Sequence, residues 1–104
     1  MWQAAQGDIL FTRVSKLPKQ VTSVSTEDGR VVFARGEATG HHHSATMETC
    51  TLSTDEGGVM YCTVEELTEV THQEHGTVVL EPGIYRVDKQ QELNSWKGWR
   101  QVVD

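Results

Sequence analysis

All five histidines of this chain fall in two short pieces, GEATGHHH at 36–43 and THQEHG at 71–76. Each piece also carries a glutamate, Glu37 and Glu74. Imidazole is a common metal ligand and the side chain that titrates nearest neutral pH. On a strand, His41 and His43 project to one face and His42 to the other, because side chains alternate with period two. An HxH pair of this kind places two imidazoles on one ion, at about 2.0–2.1 Å for zinc. His72 and His75 are three apart, so a strand would send them to opposite faces, whereas a helical turn would let both join. The expected metal ligands are therefore His41, His43 and either His72 or His75, both loop histidines being candidates, with Glu37, Glu48 or Glu74 as a fourth ligand or an orienting partner. Three nitrogens and an open position describe a catalytic or sensing site better than a closed structural one. The donor set favours a divalent transition metal such as zinc, nickel, iron or copper over magnesium or calcium. Such an ion lowers the pKa of a bound water, and Glu74 or Glu37 is the expected proton carrier in hydrolytic or small-ligand chemistry.

The spacing excludes two familiar metalloprotease patterns. His72 and His75 stand at i and i+3, and the string HQEH contains neither HExxH nor HxxEH. Two other readings use the same residues. Paired imidazoles can serve as general base and general acid in metal-free phosphodiester cleavage, although only Arg35, Arg86 and Lys89 are placed to hold a phosphate. Alternatively, the histidines are polar groups of a loop on a binding module, whose acidic β surface docks on a basic host or partner protein.

The elements that must position these residues are short strands. GDILFTRV at 7–14 reads as an opening strand that ends at Leu17-Pro18. Val21–Val24 is a short alternating piece, and Asp28-Gly29 is a hairpin turn leading into RVVFAR at 30–35. Thr46–Leu52 is expected as a further strand, followed by a turn at 55–58 and a strand over 58–64. Segment 65–75 fits a helix face or a half-exposed strand, and the apolar Thr77–Leu80 after it favours strand. A turn at Pro82-Gly83, a strand over 84–87 and a closing strand over 99–103 complete the pattern. A bulge or one helical turn is expected over 89–95. Turn signals every 8–12 residues predict one all-β domain, a small barrel or barrel-like roll of antiparallel strands. Trp2, Trp96 and Trp99 are expected as amphipathic anchors at the edge of the core.

Composition narrows the setting. A formal net charge of −6 argues against duplex nucleic acid, where phosphate neutralisation supplies most of the affinity; it leaves room for a small basic patch near Arg86, Lys89, Lys97 and Arg100. No signal peptide or membrane-spanning stretch is legible. Cys50 and Cys62 are expected as buried core thiols in a reducing, cytoplasmic setting, with a cross-strand disulfide as the alternative.

Several strings also resemble a family of small, largely uncharacterised bacterial and phage proteins. They are the opening Gln6-Gly7-Asp8-Ile9-Leu10, the GEATGHHH piece, His72-Gln-Glu74-His75-Gly, Leu80-Glu-Pro-Gly-Ile-Tyr85-Arg-Val, Gln90-Gln-Glu92 and Val103-Asp104. The chain departs from that family's pattern at Gln91 and Leu93. The resemblance implies an all-β fold and a phage or prophage setting, and it brings no activity with it. His41, His43 and Glu48 also resemble, over a shorter span, the first motif of cupin barrels. That resemblance implies a β-barrel holding a metal.

Overall fold

The computed structural model describes residues 2–35 and 41–89. Ten strands account for most of them: β1 (Gln3–Gln6), β2 (Ile9–Val14), β3 (Val21–Ser23), β4 (Arg30–Arg35), β5 (His42–Thr46), β6 (Cys50–Asp55), β7 (Met60–Val64), β8 (Thr68–Val70), β9 (Val78–Leu80) and β10 (Gly83–Lys89). Six form one antiparallel sheet in the order β1-β2-β10-β7-β6-β3, and β4-β5 and β8-β9 form two separate ladders. The protein is all-β, as expected. Among the described residues its sheet is open rather than a closed barrel, with β1 and β3 as its outer strands, and the ladders cover it in a barrel-like roll.

Two expected strands are broken by turns. The opening strand over 7–14 is a hairpin, with Gln6 opposite Ile9 and Gly7-Asp8 as its two-residue loop. Gly7 has φ 58°, which suits the first position of a II′ turn, where only glycine is unstrained. The strand expected over 46–52 is interrupted at 47–49, where the Glu48 N–H donates to Thr46 Oγ1. A threonine hydroxyl that takes up the backbone in this way favours a turn over a ladder. Other expectations hold. Asp28-Gly29 turns with positive φ at both residues, and the Asp55 carboxylate accepts from the Gly57 and Val59 N–H groups. The strand expected over 65–75 is real but short, and residues 72–75 form a loop beyond β8.

The core lies between the large sheet and the β4-β5 ladder. Phe11 on β2 meets Phe33 on β4 edge to face at 5.3 Å, an arrangement that aromatic quadrupoles favour. Tyr85 is buried, donates from its hydroxyl to Glu81 O at 2.6 Å, and receives Trp2 on its ring edge at 5.4 Å. Trp2 thus sits at the core's edge as expected. Trp96, Trp99, Lys97, Arg100 and the 89–95 and 99–103 elements lie, beyond Lys89, outside the described residues.

The β4-β5 ladder carries a bulge. Val32 faces Ser44 and Ala34 faces His43, so Phe33 is the extra residue. Bulges break side-chain alternation and re-aim neighbours. Here Phe33 and Ala34 are both buried, and the small Ala34 stands across from His43.

Cys50 and Cys62 are buried free thiols, as expected. Their strands pair Cys50 with Val64 and Leu52 with Cys62, which makes the two cysteines diagonal rather than opposite. The hydrogen bond between them, together with burial, pushes the Cys62 thiol up.

Because Phe33 is buried and packs its ring on Phe11 of the sheet, Phe33→Ala is expected to cost about 3–5 kcal/mol. Urea unfolding measures it, and a loss below about 1 kcal/mol would contradict this account of the core.

Candidate functional site

Three backbone contacts bring the two histidine pieces together. The Ser44 N–H donates to Thr71 O at 3.1 Å and the Thr71 N–H returns a bond to Ser44 O at 2.9 Å. Arg30 ties the same bridge from the side, donating to Ser44 Oγ and Thr71 Oγ1. One step on, the His42 N–H donates to Gln73 Oε1 at 2.8 Å. The loop 72–75 is thereby held against the start of β5, which frees it from strand alternation and lets both of its histidines approach His43.

Four imidazoles gather as a result. Ring centroids are 4.4 Å apart for His43 and His72, 4.5 Å for His72 and His75, 5.7 Å for His41 and His72, and 6.0 Å for the stacked pair His43 and His75. These are the four histidines singled out by spacing. His42 carries a buried Nδ1 with no hydrogen-bond partner among the described residues. Glu74 is exposed and stands 3.8 Å from His41 Nδ1, beyond hydrogen-bond range; its N–H donates to His72 Nδ1 at 3.0 Å. Glu48, the glutamate of the cupin-like pattern, lies in the exposed turn that follows β5. Glu37 lies outside the described residues.

The β1-β2 hairpin forms the remaining wall, which spacing did not indicate. Gln6, only 2% exposed, donates from Nε2 to Val70 O and Gly76 O at 2.8 Å each. Only an amide NH₂ can serve two carbonyls, so the other amide atom is the oxygen, and it lies 2.7 Å from His43 Nδ1. Nδ1 must therefore carry the His43 proton, and the neutral ring keeps its lone pair on Nε2. Next along the hairpin, a Cβ on Gly7 would lie 2.7 Å from His75 Nε2, so the glycine also lets that ring lie against the turn. Asp8 follows, with Oδ1 3.8 Å from His43 Nε2. The one sequence clue to this wall was the opening Gln6-Gly7-Asp8 string.

His43 is 3% exposed. Burial, then the neighbouring His72, lowers its pKa from 6.5 to about 4 against the opposing pull of Asp8. At neutral pH the contact with Asp8 is thus not an ion pair. Burial, then His75, also holds His72 below the ordinary histidine range. Among the described residues, no three histidine, cysteine or acidic side chains already converge as a metal's ligands would. Two local reasons are visible. His72 Nδ1 is occupied by the Glu74 N–H, which puts the proton of its neutral ring on Nε2, and the His43 and His75 rings lie near-parallel at 8°. A cavity of about 380 Å³ lies beyond Ile9, walled by Phe33, Met60, Val87, Asp88 and Lys89; no histidine lines it.

Residues 5–90 match a family described as a domain of unknown function, DUF8820. The chain belongs to the DUF8820 family. That match covers the hairpin wall and both histidine pieces. No curated protein and no solved structure matches the chain. Among the described residues of this DUF8820 protein, no helix is long and apolar enough to cross a membrane.

Two outcomes follow. The folded-state pKa of His43 lies below its unfolded value, so between pH 6.5 and about 4 unfolding takes up a proton that the native state refuses. Stability is full above pH 6.5 and falls as pH drops through that window, by on the order of 2–3 kcal/mol from this group. Denaturant melts from pH 7.5 to 4.5 check it; a flat profile would contradict the buried neutral imidazole. Gly7→Ala forces a side chain into the left-handed region and against His75, and is expected to destabilise by roughly 1–3 kcal/mol while shifting the His75 ring resonances in NMR spectra.

Proposed function

We propose that the imidazole cluster takes up a divalent transition metal, zinc, nickel or iron, and uses it in hydrolytic or small-ligand chemistry. The observation that carries this reading is the His43 lone pair. The Gln6 network fixes Nδ1 as the protonated nitrogen, which leaves Nε2 as an acceptor on a ring flanked by His72 and His75. A metal-ligating histidine is characteristically held this way, with its second nitrogen bonded to a carbonyl or carboxylate that sets tautomer and orientation. Burial that keeps the ring neutral favours ligation further, since only the neutral ring binds a cation.

The ring separations support the same reading. An imidazole ligated at about 2.0–2.1 Å has its centroid roughly 3.2 Å from the ion, so two at a tetrahedral angle stand about 5.2 Å apart. The observed separations of 4.4–6.0 Å bracket that value. Ligation then needs ring rotation more than backbone movement: His75 turns out of its stack, and His72 exchanges its bond from the Glu74 N–H. Both residues sit on the exposed loop, where rotation is cheap. His43 is the fixed ligand and the loop histidines are the adaptable ones. The ion would supply Lewis acidity, while Glu74, beside His41 and open to solvent, is placed to carry protons. The two free thiols support a reducing, cytoplasmic setting, and the resemblance to phage proteins supports a phage or prophage origin.

The test is elemental analysis and metal titration of untagged full-length protein beside His72→Ala and His75→Ala. These loop variants spare the buried His43, whose removal would disturb folding. We expect about one ion per chain in the native protein and at least about 10-fold weaker binding in the variants. No uptake after incubation with zinc, nickel and iron would overturn the proposal. An activity that survives strong chelation would favour the metal-free phosphodiester reading.

A further inference from the structure

The contact between His43 and Asp8 is chemically odd. Because the Gln6 amide holds the His43 proton on Nδ1, Nε2 faces the Asp8 carboxylate with a lone pair. Two acceptors stand 3.8 Å apart, with no hydrogen bond donated to His43 Nε2 from among the described residues. Acceptors held together in this way repel each other unless something positive sits between. At that spacing they are too far apart to share a proton directly, but close to what one ion requires. A nitrogen at about 2.0–2.1 Å and a carboxylate oxygen at about 2.0–2.2 Å, set at a tetrahedral angle, stand roughly 3.4 Å apart. A few tenths of an ångström of side-chain movement closes the difference.

We propose that Asp8 is a carboxylate ligand of the site, paired with His43 Nε2 across the cation, so that the donor set is mixed imidazole and carboxylate. This rests on the metal reading above and goes beyond it, since the carboxylates expected beside the histidines were Glu37, Glu48 and Glu74, and Asp8 was not among them. The hairpin builds the pair as a unit. Gln6 orients His43, Gly7 lets His75 lie against the turn, and Asp8 presents the carboxylate, all within three consecutive residues. Asp8 is partly open to solvent, with its side chain 37% exposed, so the ion is reachable from outside and a position remains for a substrate oxygen. A hard carboxylate beside imidazoles selects against copper(I) and suits zinc or iron(II), the latter familiar with two histidines and one carboxylate on one face.

The experiment titrates full-length protein with cobalt(II) and with zinc, comparing wild type, Asp8→Asn, Asp8→Glu and His75→Ala. Cobalt(II) reports ligand type through its visible absorption. Asp8→Asn keeps the size of the side chain in an exposed turn, and metal-free melts matching wild type would show that the fold is intact. We expect Asp8→Asn to weaken zinc binding at least about 10-fold and to change the cobalt spectrum, and Asp8→Glu to retain binding with a shifted spectrum. Unchanged affinity and spectrum in Asp8→Asn, with binding lost in His75→Ala, would overturn the assignment of Asp8 and leave the histidine site standing. If wild type itself takes up neither metal, the metal reading fails and this inference with it.

Discussion

The Gln6 amide is the interaction on which the site depends. It sits at the end of β1 and reaches Val70 at the end of β8, Gly76 beyond the histidine loop, and His43 on β5. Three stretches far apart in sequence, around 6, 43 and 70–76, meet on one buried side chain. Each of its polar atoms is used, which is the condition under which a buried amide costs nothing and specifies a single arrangement. A donor to two carbonyls must turn its oxygen elsewhere, and that oxygen sets the tautomer of His43. The chemistry offered by His43 is thus decided by two backbone carbonyls it does not touch.

A second constraint works on the ladder that carries His43. Without the bulge in β4, Phe33 would stand opposite the imidazole. The extra residue sends Phe33 into the core against Phe11 and leaves Ala34 across from His43. One local irregularity therefore supplies both an aromatic contact for the core and space beside the ring. This is consistent with the general occurrence of bulges beside functional sites, where a strand must serve packing and side-chain aim together.

Two rings of the cluster are held toward their neutral forms by its construction. Burial, then a neighbouring imidazole, disfavours the charged form of His43 and of His72. His43, His72 and His75 lie within 4.4–6.0 Å of one another, with His41 5.7 Å from His72, so the arrangement is compatible with a cation only when these rings present lone pairs. The exposed loop 72–75 and the rigid pair Gln6–His43 divide the work: one side is set by packing and the other adapts to what is bound.

Much of the fold was legible in the sequence because turns and strands are local. Asp28-Gly29 and Asp55–Gly58 announce their turns through residues that tolerate positive φ or bond their own backbone, and RVVFAR announces a strand by its branched and aromatic side chains. The four clustering histidines were also legible, since their type and concentration are properties of the chain alone. What the sequence could not decide was where an apparent strand is broken, and anything that depends on a partner distant along the chain. Gly7-Asp8 reads as part of a strand until Gln6 is paired with Ile9, and 46–52 reads as continuous until the Thr46 hydroxyl takes up the backbone. A one-residue bulge leaves no mark on periodicity, because Val32, Phe33 and Ala34 are all acceptable strand residues. The roles of Gln6 and Asp8 were least visible of all. A glutamine and an aspartate near the start of a chain are ordinary surface residues by type, and only the tertiary fold, by bringing β8, β5 and the histidine loop onto the β1-β2 hairpin, turns one into the anchor of His43 and sets the other across from its lone pair.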